Sequence, residues 1–213
     1  MDEFQSALGL VLERLEQIRD GGGRWPRASR EVVSLLQARP APVGLGKAEL
    51  LEQVRAKVLV CDLCPHLASS RTQTVFGVGD PDAELMFIGE APGADEDAQG
   101  EPFVGRAGQL LTKIIETMGF RREEVYIANI LKSRPDMPEG APGNRPPTTE
   151  EMKNCLPFLI EQIRIVQPKV LVALGATAVE GLLGFRGTMG KLRGQWNSFE
   201  DKPLMITYHP SYL

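Results

Sequence analysis

The chain has 213 residues, of which 42% are hydrophobic and 24% charged, and its formal net charge is −4. This composition is typical of a globular protein and allows one compact domain with an extension, while the negative total argues weakly against a polyanionic partner. No apolar run approaches the roughly 20 residues that span a bilayer, and a signal-peptide pattern is missing, so we predict a cytoplasmic protein without membrane association.

The first 46 residues are predicted to be a helical extension and linker, followed by the main domain in residues 47–213. Apolar residues three and four apart between Phe4 and Ile18 form one stripe of a helix, which the triple glycine from Gly21 ends. A proline-punctuated stretch follows and is typical of a linker. The helix either docks on the main domain or binds an unidentified partner.

The main domain alternates predicted strands and helices. Apolar runs predict strands at 83–89, 125–130, 169–174 and 204–208, and amphipathic helical patterns lie between them. Right-handed crossovers convert this βαβαβαβ order into an α/β fold, a three-layer α/β/α arrangement with a four-stranded parallel sheet.

Polar side chains follow three of these predicted strands. Glu90, Asn129 and His209 each stand where a strand ends, and the carboxyl ends of parallel strands meet at one edge of a sheet. Each residue has a simpler interpretation by itself: a solvated carboxylate, a turn cap or a surface imidazole. Their equivalent positions favour one shared functional site.

Three longer motifs carry a resemblance to family 4 uracil-DNA glycosylases, the thermophile-type enzymes with an iron–sulfur cluster. They are GEAPG at Gly89–Gly93, the EDxxGxPFVGxAGxLL run at Glu96–Leu111, and HPSYL from His209. The similar region begins at Cys61 and covers about the last three-quarters of the chain. The resemblance implies a DNA repair enzyme that flips uracil out of single- or double-stranded DNA and hydrolyses its N-glycosidic bond, without a nucleotide cofactor. Family members usually continue beyond this motif, which implies a C-terminal truncation after Leu213.

The resemblance also implies a set of substrate-binding residues. Phe103 would stack on the flipped ring, and the Asn129 amide would accept from uracil N3 and donate to O4, which cytosine cannot satisfy. Ser211 would bond a phosphate, and Leu213 would fill the space that the base leaves. The loop around Gly93 is the expected place for excluding thymine. The substrate-binding set is therefore Ala91, Gly93, Phe103, Asn129, Ser211 and Leu213.

The chemistry requires stabilisation of the departing uracil anion and orientation of a water. A neutral His209 imidazole and backbone N–H groups around Glu90 and Ala91 are the candidates for the anion. Better-known uracil glycosylases carry an aspartate where this chain has Ala91, so we predict that Glu96 and Asn144 orient the water. Both also have a structural interpretation, for Glu96 as the partner of an arginine. The predicted catalytic set is Glu90, Glu96, Asn144 and His209.

The resemblance implies a structural [4Fe–4S] cluster, and three of its four cysteine positions match Cys61, Cys64 and Cys155. The fourth position holds Ser133, which departs from the family pattern. Ser133 could ligate as an alkoxide, His66 or an outside thiol could replace it, or the cluster could be incomplete or absent. An intact cluster is expected to hold the loop that carries Asn144.

Several basic residues follow the predicted strand ends and indicate a positive face for DNA phosphates, against the simpler interpretation of a scattered solvated surface. These residues are Lys132, Arg134, Arg145, Arg186, Lys191 and Arg193.

Two other functions compete with hydrolysis. A non-hydrolytic or covalent uracil-DNA binding protein of the same superfamily would carry a histidine in the loop 185–193, which has none. A nucleotide-binding switch domain is disfavoured by the carboxylates of the loop after Gly89.

Overall fold

The computed structural model describes residues 45–137, 143–185 and 187–213. The predicted N-terminal helix, its linker and Arg186 lie outside the described residues. The α-helices within the described residues are α1 (Lys47–Leu59), α2 (Pro65–Ser70), α3 (Ala94–Gln99), α4 (Arg106–Thr117), α5 (Thr149–Val166), α6 (Ala176–Leu183) and α7 (Met189–Leu192). The strands are β1 (Val78–Gly79), β2 (Leu85–Gly89), β3 (Tyr126–Asn129), β4 (Val170–Leu174), β5 (Trp196–Phe199) and β6 (Lys202–Thr207).

The strands form one sheet in the order β1-β3-β2-β4-β6-β5. The central strands β3, β2, β4 and β6 pair in parallel, which confirms the α/β class and the predicted parallel core. The prediction of a four-stranded sheet is wrong, because antiparallel β1 and β5 extend it to six strands. β1 has only two residues, and β5 alternates exposed with half-buried residues, so neither carries the apolar run that marks a buried strand.

Helices cover both faces of the sheet. Along β2, Met86 and Ile88 face a core that includes α1, α5 and α6, whereas Leu85 and Phe87 face a second core with α4. Strand side chains alternate between the two faces, so burial on both sides requires the continuous apolar sequence that β2 has. No helix among the described residues is long and apolar enough to cross a membrane.

Helix α5 begins at a capping box formed by Thr148 and Glu151. The Thr148 hydroxyl accepts from the backbone N–H of Glu151 at 3.2 Å, and the Thr148 N–H donates to the Glu151 carboxylate at 2.7 Å. This cap sets the first turn of α5 and places Cys155 one turn further along the helix.

Candidate active site and cysteine site

Asn129, the last residue of β3, provides a buried acceptor without a partner. Its side chain is 2% exposed, and Oδ1 has no hydrogen-bond partner among the described residues. Gly89 ends the neighbouring strand, and a Cβ atom there would lie 2.3 Å from Asn129 Oδ1 and 2.5 Å from Phe103 Cζ. Glycine at position 89 therefore allows the amide and the aromatic ring to meet. A buried polar atom left unpaired in a cavity is suited to a ligand donor.

Phe103 and His209 form the aromatic part of the same region. Phe103 is 5% exposed and has a left-handed backbone with φ of 55°, which is uncommon for a bulky residue. The centroids of the Phe103 and His209 rings are 5.5 Å apart, with an interplanar angle of 31°. The three-residue turn Pro210–Tyr212 follows His209 directly, and its Ser211 N–H orients the imidazole ring of His209.

The hydrogen bonds of His209 define its tautomer. Its Nδ1 accepts from the backbone N–H of Ser211 at 3.2 Å and lies 2.7 Å from the Ser211 hydroxyl. This pattern assigns the proton of the neutral ring to Nε2, which is then a donor. Burial lowers the pKa of His209, with a smaller opposing effect of the Glu96 charge, and therefore favours the neutral ring.

The carboxylate of Glu96 connects two loops. Its Oε2 accepts from the N–H of Gly93 at 3.1 Å, and its Oε1 accepts from the N–H groups of Val104 and Gly105, both at 3.0 Å. Glu96 thus caps α3 and holds the loop that carries Phe103. Within the described residues Glu96 has no arginine partner, and backbone amides occupy both of its oxygens.

Glu90 and Asn144 complete the polar wall. Burial raises the pKa of Glu90, although a hydrogen bond with the Thr177 side chain acts in the opposite direction. Asn144 Oδ1 accepts from Arg134 Nε at 3.1 Å, and Arg134 also donates to the carbonyl of Gly143 at 2.8 Å. Arg134 therefore holds Asn144 in place.

Most of the predicted site residues line a single cavity of about 610 Å³ at the carboxyl ends of the parallel strands. Gly93 stands behind this wall against Glu96 and Asn144, and Leu213 lies outside it with 73% of its surface exposed. Tyr208 and Tyr212 also line the cavity with stacked rings 5.0 Å apart, and sequence reasoning assigned them no role. The predicted residues in the wall are Glu90, Ala91, Glu96, Phe103, Asn129, Asn144, His209 and Ser211.

The predicted positive face includes three residues with hydrogen-bond or ion-pair partners inside the protein, namely Lys132, Arg134 and Arg145. Lys132 is 1% exposed, so its interpretation as a phosphate contact is wrong. Arg145 forms ion pairs with Asp136 and with Glu151. Lys191 is exposed, and the Arg193 guanidinium lies 5.3 Å from the ring centre of Tyr208. Only part of the predicted face is therefore available to phosphates.

The predicted metal residues line a second, smaller cavity. Cys61, Cys64, Cys155 and Ser133 face it together with the apolar Leu67 and Leu131. The backbone N–H of Lys132 donates to Cys155 Sγ at 3.2 Å, and the Asn154 amide donates to Cys64 Sγ at 3.5 Å. Burial raises the pKa of Cys155 to about 11, so a bound cation is needed to ionise this thiol near neutral pH. Three converging thiols with N–H donors fit an iron–sulfur group.

The fourth position differs from the other three. Ser133 Oγ accepts from Arg71 Nη1 at 3.1 Å, and Nη2 of the same guanidinium donates to the carbonyl of Leu59 at 3.2 Å. His66 is not among the residues that line this cavity, and its Nε2 lies 2.7 Å from Glu151 Oε1. The donor set here is three thiols and one hydroxyl next to a guanidinium.

An ion-pair network lies between the two cavities. His66, Asp136 and Glu151 come close enough together to resemble metal ligands, but Arg145 already supplies the positive charge between the two carboxylates. Burial alone would raise the pKa of Glu151; hydrogen bonds from Arg145 and His66 outweigh it and hold the pKa at about 2. The network ties the loop of Asn144 to the helix that carries Cys155.

Comparison with known proteins agrees with this geometry. The family model for the uracil DNA glycosylase superfamily matches residues 76–213, so the fold and the site define an α/β protein of that class. The chain is 46% identical over 172 residues to the type-4 uracil-DNA glycosylase of Thermotoga maritima, covering 78% of this chain and 84% of that protein. It is 39% identical over 171 residues to the type-4 enzyme of Archaeoglobus fulgidus, covering 76% and 82%. A type-5 uracil-DNA glycosylase of Thermus thermophilus is 29% identical over 158 residues, with 60% and 69% covered. The chain belongs to the type-4 uracil-DNA glycosylase family.

Proposed function

We propose that this protein is a DNA repair enzyme that excises uracil from DNA and leaves an abasic site. The observation that carries the proposal is the convergence of an unpartnered Asn129 Oδ1, the Phe103 ring and a neutral His209 on one cavity. A base inside a duplex cannot reach such a cavity, so the nucleotide must be flipped out first.

Asn129 explains the choice of base. Its Oδ1 accepts the N3–H of uracil, and its Nδ2 donates to O4, while the flat ring stacks on Phe103. Cytosine presents an acceptor at N3 and a donor at C4, so it would leave the buried Asn129 acceptor unpaired.

His209 stabilises the leaving group. When the bond between C1′ of the sugar and N1 of uracil breaks, its electron pair goes to the base, and negative charge develops on O2. The Nε2–H of a neutral His209 donates to that oxygen without transferring its proton. A water then adds to C1′, and the proton that it loses neutralises the uracil anion, so the products are uracil and a hydroxyl on C1′.

In this proposal, Asn144 and Glu90 orient the attacking water. Three backbone N–H groups already occupy the Glu96 oxygens, so we assign Glu96 to holding the Phe103 loop. Ser211 remains the candidate for a phosphate contact. Leu213 remains the candidate for filling the space that the flipped base leaves in the duplex.

Type-4 enzymes are the iron–sulfur class of this superfamily. Cys61, Cys64 and Cys155 would hold such a cluster, and it would supply a structural cross-link between the loop before α2 and helix α5. We propose that Ser133 gives at most a weak fourth ligand, because its hydroxyl is bound by Arg71.

The fourth position is tested by metal analysis. Wild-type protein, Ser133→Cys and Ser133→Ala are purified without oxygen, and iron, sulfide and the visible spectrum are followed after exposure to air. Ser133→Cys should retain iron longer than wild type, and Ser133→Ala should match wild type. Faster iron loss from Ser133→Ala would show that the serine is a true ligand.

The function is tested with labelled oligonucleotides that contain one uracil, single-stranded or opposite adenine or guanine, with thymine as the matched control. Uracil release and alkali-sensitive abasic sites are expected, without added nucleotide, on the uracil substrates alone. Tight binding of uracil-DNA without release would instead identify a non-hydrolytic binding protein. A covalent adduct with uracil-DNA, formed without a histidine in the loop 185–193, would likewise identify a uracil-DNA binding protein.

A further inference from the structure

A five-residue segment, Asn129–Ser133, runs from the base cavity to the cysteine cavity. Its first residue lines the former and its last residue lines the latter. We call it the connecting segment.

Backbone hydrogen bonds hold the connecting segment against the loop of the active site. The N–H of Ile130 donates to the carbonyl of Gly89 at 3.0 Å, and the N–H of Leu131 donates to the carbonyl of Glu90 at 3.1 Å. On the other side, the carbonyl of Lys132 accepts from the N–H of Val75 at 2.8 Å. The segment is therefore an ordered part of the site.

Lys132 contacts both functional regions through its two nitrogens. Its side-chain Nζ donates to the carbonyl of Asn129 at 2.9 Å and to Gln162 Oε1 at 2.6 Å, and its backbone N–H donates to Cys155 Sγ. The Nζ acceptors are neutral, and no ion pair of Lys132 exists within the described part of the chain. Burying a lysine is costly, and an apolar side chain would fill this space at lower cost. The hydrogen bonds from Nζ to two neutral acceptors offset part of that cost.

Gln162 holds the other side of the Lys132 amine. Its Nε2 donates to the carbonyl of Phe76 at 3.0 Å and to the hydroxyl of Tyr126 at 3.1 Å. Tyr126 begins β3 and Asn129 ends it, so the Lys132–Gln162 pair is attached to both ends of the same strand.

The side chain of Asn129 needs such support. Its Oδ1 must stay free to accept from a base, so it cannot be oriented by a hydrogen bond to the protein. The direction of the carboxamide then depends on the backbone of Asn129 and on the close packing at Gly89. A donor on the Asn129 carbonyl restrains that backbone directly.

We propose that Lys132 is a positioning residue that orients the Asn129 carboxamide for uracil and links its position to the cysteine site. The inference rests on the proposed uracil excision. The Lys132 amine donates to the Asn129 carbonyl and its backbone N–H donates to Cys155 Sγ, so one residue joins the proposed base-recognition residue to the cysteine site.

A double-mutant cycle tests the proposal with wild type, Lys132→Met, Asn129→Ala and the double variant. Single-turnover uracil release and the Kd for free uracil by calorimetry are measured on each. Lys132→Met should slow release and weaken uracil binding by roughly 10- to 100-fold in the wild-type background, as expected for a displaced recognition group. In the Asn129→Ala background the same change should cost less than about twofold, because the amide that it positions is gone.

The controls separate this role from folding. Lys113→Met makes the same chemical change at an exposed lysine of α4 and should leave both readouts unchanged. Should Lys132→Met not fold, Gln162→Met removes the second acceptor of Nζ and is tested in the same cycle. Equal losses in both backgrounds would overturn the proposal, since a merely structural lysine acts independently of Asn129. Failure of wild type to release uracil would instead contradict the proposed function, while the uracil Kd still tests the role of Lys132.

Discussion

The base cavity and the cysteine cavity are built in different ways. The base cavity collects Glu90, Asn129 and His209 from the ends of three parallel strands, so the sheet topology alone brings them together. The cysteine cavity draws its donors from the segment before α2, from the connecting segment and from α5. Sheet topology therefore sets the positions of the first three residues, whereas the donor set of the second cavity depends on single side chains in separate segments, Ser133 among them.

The two cavities also differ in what they leave unsatisfied. The base cavity keeps an unpartnered acceptor on Asn129 for a ligand. In the cysteine cavity, Cys64 and Cys155 accept N–H donors, and Ser133 accepts from a guanidinium. The first cavity thus offers an unpaired acceptor to a ligand, whereas three of the four predicted ligand side chains of the second already accept hydrogen bonds, and this difference predicts different consequences of mutation.

The largest effects should come from the base cavity. Asn129→Ala and His209→Ala should each slow uracil release by roughly 10²- to 10³-fold, because each removes a group that interacts with the base as charge develops. Single-turnover assays measure this, and thermal unfolding serves as the control. A loss below about fivefold with an intact fold would show that the residue does not contact the base.

Cys155→Ala should act mainly on the cysteine cavity. Iron content should fall close to zero, and KM for uracil-DNA should rise about tenfold with a smaller change in kcat, because the loop of Asn144 loses its support. Metal analysis and steady-state kinetics measure both effects. A kcat loss as large as that of Asn129→Ala would make the two cavities one functional unit.

Glu151→Gln tests the network between the cavities. The loss of one partner of Arg145 and His66 should lower the free energy of unfolding at pH 7 by about 1–3 kcal/mol, since Glu151 is buried and Arg145 is partly exposed. The pKa of Glu151 is about 2 in the folded protein, below its ordinary value of 4.5, so its stabilisation is complete above pH 4.5.

The difference between wild type and Glu151→Gln should therefore shrink as the pH falls from 4.5 to about 2. Denaturant unfolding across this range measures it. A difference that does not change with pH would contradict the ion-pair origin of the effect.

The smallest effect concerns Glu90 alone. Thr177→Val keeps the side-chain shape and removes the hydrogen bond that lowers the pKa of Glu90, so that pKa should rise further. With Glu90 acting as a carboxylate, the acidic limb of kcat/KM should move to higher pH, by less than about one unit. Thr177→Ser, which keeps the hydroxyl, is the matched control. An unchanged limb in Thr177→Val would exclude Glu90 from the titration that controls the rate.

Local pattern explains why much of the base cavity could be predicted. The apolar runs of β2, β3, β4 and β6 mark buried parallel strands, and the residue after each such strand lies at a known edge. The partners of Glu96 could not be predicted, because its three backbone donors belong to loops without periodicity. Strands β1 and β5 could not be predicted either, because β1 has only two residues and β5 is half exposed, so neither has a continuous apolar run.

The sequence by itself determined the order of the four parallel strands and the edge where the predicted site residues gather, because both follow from the apolar periodicity. Only the tertiary structure decided where the basic residues go. Lys132 looks like a phosphate contact by charge, yet it is buried between Asn129 and Gln162. Burial depends on packing between residues 30 positions apart, which no local pattern encodes.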